Sequence, residues 1–235
     1  MFKIIKKVVL ISTVLLLAGF AFFFYDNTSA PTSAELIEQH PMVSANSLAQ
    51  EDLSIICPFH RLLKRAGLYQ AQFKQHGENV VTVEGIQQAA EKFGCNTFDC
   101  GLIAKSVAHQ QPENPNQVIL NRLNEVPKIS HECGLQFGPG DAAVNPQVRE
   151  STLKRLKQLA NAQGQLIYQD LVTVKQEICT SQGVDKTLVG DIELKVVFAY
   201  LGGVDRGYID HSDVDLFFHA AMPKYKSSKM ISAYL

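Results

Sequence analysis

The feature that most restricts this chain is its first twenty-five residues. Lys3, Lys6 and Lys7 precede an apolar run from Val8 to Tyr25, relieved only by Ser12, Thr13 and Gly19. A run of that length can span a bilayer. Positive charge ahead of it favours an N-terminus left in the cytoplasm and a translocated remainder. Residues 1–25 therefore read as a transmembrane anchor or a signal peptide. Pro31 spoils the obvious cleavage position after Ala30, and a cut after Ala34 stays open. The expected location is a domain anchored outside the cytoplasm, or secreted or periplasmic if the segment is cleaved.

About two hundred residues come after this segment, enough for one domain with its own core. Residues 26–52, rich in Ser, Thr, Ala, Pro and Gln, read as a linker, and the folded domain is expected over 53–235. With 22 Lys and Arg against 23 Asp and Glu there is no basic excess to attract phosphate backbones. The chain also lacks Trp, so nucleic acid is not an expected partner.

From Leu53 on, the apolar pattern is helical and predicts an all-α fold with segments near 58–68, 83–93, 98–109, 146–162, 166–181, 190–201 and 212–221. Asn145 and Pro146 suit an N-cap and first turn, whereas Gly94, Gly164 and Gly183 suit C-terminal stops. Leu153, Leu156, Leu159 and Ala160 share one helical face. The stretches 110–117 and 127–146 carry Pro and Gly at intervals that favour loops, and the second is a good place for a site.

Five cysteines, Cys57, Cys95, Cys100, Cys133 and Cys179, are an odd number for an exported chain, so one should stay unpaired. If that one is Cys57, up to two bridges remain, and Cys95 with Cys100 suits a local pair across a turn. Connectivity is not fixed by sequence.

Cys57 precedes Pro58 and the stripe Phe59, Leu62, Leu63, Ala66, Gly67. Proline at a first helical position puts Cys57 at a helix entrance, where unpaired N–H groups and the macrodipole favour thiolate over thiol. A thiolate there is a good soft ligand for iron, although a Cys-Pro pair alone is more often a buried or bridged cysteine.

Taken together, Cys57-Pro58, Leu63 and Gly67, then Gly77 to Thr82 opening a helix, resemble the start of the chloroperoxidase and unspecific peroxygenase family of haem-thiolate peroxidases. Ile129 to Cys133, Tyr168 to Glu177 and Val197 to Pro223 resemble later stretches of that family in order, so the resemblance covers roughly 53–226. It implies a single multi-helix domain with haem b, Cys57 as axial ligand to the iron, and His131 with Glu132 as the acid-base pair on the opposite side. It also implies oxidation of a small organic substrate or halide by hydrogen peroxide.

The chain departs from the family at two places. Ala220 stands where many members carry the acid that shuttles the peroxide proton, and methyl cannot do so. Ser130 and Gly134 stand where the family binds a divalent cation near a haem propionate through Glu and Ser, so that site is not carried over. A zinc site from Cys57, His60, His131 and Cys133 ranks lower because the spacings are irregular. His109, His211 and His219 read as surface or satisfied core histidines, and Asp210 to Asp215 as an acidic helix start rather than a calcium loop. Two rivals stand beside the peroxidase reading: a haem-binding relative without turnover, and a cofactor-free, disulfide-braced interaction domain.

Overall fold

The computed structural model describes residues 29–111, 113–126, 134–138, 140–183 and 188–229. The apolar N-terminal segment and the His131-Glu132 pair lie outside the described residues. Among those described, no helix is long and apolar enough to cross a membrane.

The described chain is mainly helical, in the order α1 Ser33–Gln39, α2 Pro58–Arg65, α3 Gln70–His76, α4 Val83–Lys92, α5 Thr97–Ala108, α6 Pro146–Leu159, α7 Tyr168–Ser181, α8 Leu188–Tyr200, α9 Gly203–Arg206 and α10 His211–Phe218. Single 3₁₀ turns occupy Pro41–Val43 and Leu120–Glu125. Each helix that the apolar period predicts is present. Most of the boundary signals act as expected: Asn145 Oδ1 accepts from the N–H groups of Gln147 and Val148 at 3.1 and 3.4 Å, with Pro146 at the first helical position. Gly94 and Gly183 follow the last residues of their helices with positive φ, which stops a helix at little steric cost. Gly164 also has positive φ but lies in the turn before Gln165, since the helix ahead of it already ends at Leu159.

Four strands of two or three residues join these helices as antiparallel clips. β1 Val80–Thr82 pairs with β2 Gln117–Ile119, Val81 opposite Val118, and β3 Gln165–Leu166 pairs with β4 Ile209–Asp210. The helical period carries no sign of such short segments.

The linker reading fails from Ser29 onward. Thr32 and Glu35 form a capping box at the start of α1: Thr32 Oγ1 accepts from Glu35 N–H at 3.3 Å, and Glu35 Oε2 accepts from Thr32 N–H at 2.7 Å. Leu36 and Val43 are fully buried, and Met222 N–H donates to Val43 O at 2.8 Å. The domain therefore begins some twenty residues before Leu53. A seven-residue helix with one core leucine offers no repeat from which a period can be read.

Helices α4 and α5 lie along each other, and α6 packs against both α7 and α10. The shared core includes Leu62, Leu63, Phe93, Leu156, Leu194 and Phe218. Two arginines sit inside it. Arg61 is 1% exposed and donates to the carbonyls of Ile55 (2.8 Å), Ile56 (3.0 Å) and Phe218 (2.9 Å). Its Nε faces Glu51 Oε2 at 3.2 Å, a charge contact without hydrogen-bond alignment. Arg149, from α6, reaches Glu51 Oε1 at 2.5 Å and Phe218 O at 3.3 Å. These contacts join α2, α6, the C-terminal end of α10 and the strand-like stretch before Cys57 into one unit, and Cys57 is placed by it.

Candidate functional site around Cys57

Cys57 is the N-cap residue of α2, with extended backbone (φ −77°, ψ 117°) and Pro58 at the first helical position. It is the free cysteine of the described residues: Cys95 and Cys100 are bridged, with Cα atoms 6.3 Å apart, and Cys179 is disulfide-bonded. The backbone N–H groups of Phe59 and His60 lie so as to favour its anion, although the side chain makes no cap hydrogen bond. The entrance geometry expected from Cys-Pro is thus present.

The charge state differs from the expectation. Burial is the largest influence and pushes the Cys57 thiol up. The two N–H groups and the Arg61 guanidinium pull it down, and Glu193 on α8 opposes them. Desolvation outweighs the helix entrance, so the ligand-free protein holds a thiol at neutral pH. The residue as a whole is half-buried.

A buried polar set surrounds it. His60 Nδ1 and Tyr69 Oη are 2.9 Å apart, and burial lowers the His60 pKa to about 4. Tyr69 has no exposed surface, and its phenol is pushed well up by burial and then by the nearby Cys57 charge. On α8, Glu193 Oε2 accepts from Lys175 Nζ at 3.1 Å, with Lys175 wholly buried. Phe59 meets Tyr200 edge to face at 5.5 Å, and Tyr200 stacks obliquely on Phe217 at 5.2 Å. The Tyr200 hydroxyl is buried and, among the described residues, has no hydrogen-bond partner. Sequence reasoning missed Arg61, Tyr69, Lys175 and Tyr200, since none belongs to a spaced motif.

Of the other expected site residues, His131 and Glu132 fall outside the described residues, so their relation to Cys57 is not drawn. The segment just after them is held near α2, because Arg61 Nη2 donates to Gln136 Oε1 at 2.5 Å. Ala220 is fully buried with φ 52°, and its carbonyl accepts from Arg65 Nη1 at 3.1 Å. The position that carries the family acid is here an enclosed methyl group on a left-handed backbone. Gly134 packs so closely on Phe137 that a Cβ there would run into the ring, so the serine ligand of the cation site could not be accommodated either. The other position of that site, Ser130, lies outside the described residues.

His211 and His219 are hydrogen-bonded, to Leu153 O at 2.9 Å and to Asp215 O at 2.8 Å. Asp213 is buried and accepts the N–H groups of Lys224 and Tyr225, so it braces the C-terminal stretch. Among the described residues no three His, Cys, Asp or Glu side chains converge on one point. The donor set at Cys57 is one sulfur. That suits a cofactor bringing its own remaining ligands, as a porphyrin does, and not a bare ion.

Compared with known families and characterised proteins, the chain matches no family model and no characterised sequence.

Proposed function

We propose that this protein binds haem b through Cys57 and oxidises a small organic molecule or halide with hydrogen peroxide, with residues 1–25 holding the domain at a membrane on its non-cytoplasmic side. One observation carries the reading: a free cysteine at a helix N-cap, where the Phe59 and His60 N–H groups and the Arg61 charge favour the anionic sulfur.

Cys57 would hold the haem, which when bound would supply peroxide activation, a chemistry that an electron-rich sulfur ligand favours. The protein's own part is electrostatic. Cys57 gives up its proton on ligation, and the two N–H groups with the Arg61 charge then stabilise the anionic sulfur. Phe59, two residues on, packs edge to face on Tyr200, which in turn meets Phe217. His131 is the group assigned to take the peroxide proton, with Glu132 orienting the imidazole. Ala220 leaves them without the family's usual acid.

The enclosed Ala220 methyl also favours a second reading, a haem-binding relative that does not turn over. One experiment orders the two. The full chain, reconstituted with haem, is reduced and exposed to carbon monoxide, then assayed with peroxide. A strongly red-shifted Soret band that is lost in Cys57→Ala supports sulfur ligation. A band typical of imidazole ligation would reject it. Turnover abolished by His131→Ala supports the enzyme, and a sulfur-type spectrum with no turnover supports the second reading.

A further inference from the structure

Ser29 and Ala30 fix where the apolar segment must meet the domain. Ala30 is buried, its N–H donates to Ser228 O at 2.6 Å, and Ser29 bridges antiparallel to Lys229. The turn at Gly94 closes on this corner: a Cβ on Gly94 would come within 2.8 Å of Ala30 Cβ. Between the last residue of the apolar run, Tyr25, and Ser29 stand only Asp26, Asn27 and Thr28. Those four Cα steps span at most about 14 Å when fully extended. With residues 8–25 in a bilayer, the corner cannot stand further than that from the end of the run, and the domain has no free tether.

The surface next to this corner has a distinctive make-up. Helix α5 starts three residues after Gly94, and its outward side carries Leu102 and Ile103, 53% and 46% exposed. Lys105 is exposed on the same helix, Lys92 is exposed at the end of α4, and Lys229 is exposed beside Ser29. Asp99 lies one turn before the pair, and Lys229 Nζ is 3.7 Å from Asp205 Oδ1, so Lys92 and Lys105 are the cations that this side offers. An adjacent apolar pair with lysines nearby suits a membrane interface, apolar groups at the acyl boundary and ammonium groups among anionic head groups.

We propose that the outward side of α5 rests on the bilayer, with Leu102 and Ile103 entering the interface and Lys92 and Lys105 meeting anionic lipid. This rests on the anchored reading of residues 1–25 and adds to it a fixed orientation. The domain sits flat on the lipid with one defined face, and substrates reach it from the membrane surface or from the solvent side of that plane.

The absence of Trp gives a clean test. Leu102→Trp or, as a second reporter in case the first disturbs folding, Ile103→Trp places a single indole on this face. Ile167→Trp places one on α7's entrance, where Ile167 is 54% exposed. The full-length variants are reconstituted into phosphatidylcholine and phosphatidylglycerol vesicles carrying brominated acyl chains. The expected result is blue-shifted emission and severalfold stronger quenching for positions 102 and 103 than for 167. Flotation separates the two levels of failure. Chain that floats with the vesicles but shows equal quenching at all positions overturns the orientation alone. Chain that does not float overturns the anchored reading and the orientation with it.

Discussion

Arg61 Nη2 and Gln136 Oε1 meet at 2.5 Å in the protein interior, linking the helix that begins at Cys57 to the segment that comes directly after His131 and Glu132. The same guanidinium serves three carbonyls and faces Glu51. Burial lowers its pKa only to about 10, so it stays charged at neutral pH. Arg61→Met leaves those acceptors unpaired and Glu51 with Arg149 as its remaining buried partner. The expected loss is about 3–5 kcal/mol, the usual cost of breaking a buried charge pair. Gln136→Ala removes one acceptor of several and should cost about 1–2 kcal/mol. Urea unfolding of the two variants checks the order, and equal losses would show that Gln136 is the anchor rather than the arginine.

His60 gives the fold a defined acid sensitivity. Its imidazole is held neutral down to about pH 4 by burial, against an ordinary value of 6.5. The unfolded chain therefore binds the extra proton first as pH falls. Stability is full above pH 6.5 and declines as pH drops towards 4, by up to about 3 kcal/mol from this group. His60→Gln should flatten the profile over that interval while keeping a polar partner for Tyr69. Thermal unfolding at pH 7 and pH 4.5, parent against variant, measures it; an unchanged slope would show that other groups cause the acid loss.

The legibility of the fold in the sequence divides along physical lines. The longer helices were legible because an amphipathic helix must repeat its apolar face, and Leu153 with Leu156 do so plainly. The leftover thiol came from an odd cysteine count. The segment 29–52 was not legible, because Leu36-Ile37 and Met42-Val43 are isolated apolar pairs in a polar setting with no repeat, and burial comes from what packs on them. Arg61 and Lys175 were illegible for the opposite reason: a charged residue reads as surface unless its partners are known, and Arg61 meets Gln136 and Phe218, 75 and 157 residues away, while Lys175 meets Glu193 on the next helix.

That misread segment makes its own prediction. A soluble chain starting at Ser29 keeps the capping box and the Ala30–Ser228 hydrogen bond, whereas one starting at Glu35, as a cut after Ala34 would leave it, loses both. A missing cap costs about 0.5–2 kcal/mol, and loss of the buried Ala30 contact adds to it. The shorter chain should melt several degrees lower. Equal melting temperatures would return residues 29–34 to the status of a linker.

The Cys95–Cys100 bridge closes a short loop between Gly94 and the second turn of α5. Chain-entropy reasoning gives about 2 kcal/mol for a loop this small. Cys95→Ser with Cys100→Ser should lower stability by that amount. Hydrogen exchange should rise first over α5, which carries the proposed lipid-facing residues. Uniform change across the domain would argue that the bridge is not local in effect.

Haem loading should release a proton, and the reason lies in the balance at Cys57. Two N–H groups and Arg61 favour the anion, but burial is stronger, so the ligand-free sulfur carries hydrogen at pH 7. Ligation requires the thiolate, so the proton must leave when iron binds. Titration calorimetry in two buffers of different ionisation enthalpy should therefore report about one proton released per haem at pH 7. The release should shrink as pH rises past the thiol's raised value, where the free chain is already ionised. Cys57→Ser and Cys57→Ala should bind weakly with no such release. Haem uptake by the parent without a proton would mean that the sulfur was already a thiolate, and that the helix entrance outweighs burial after all.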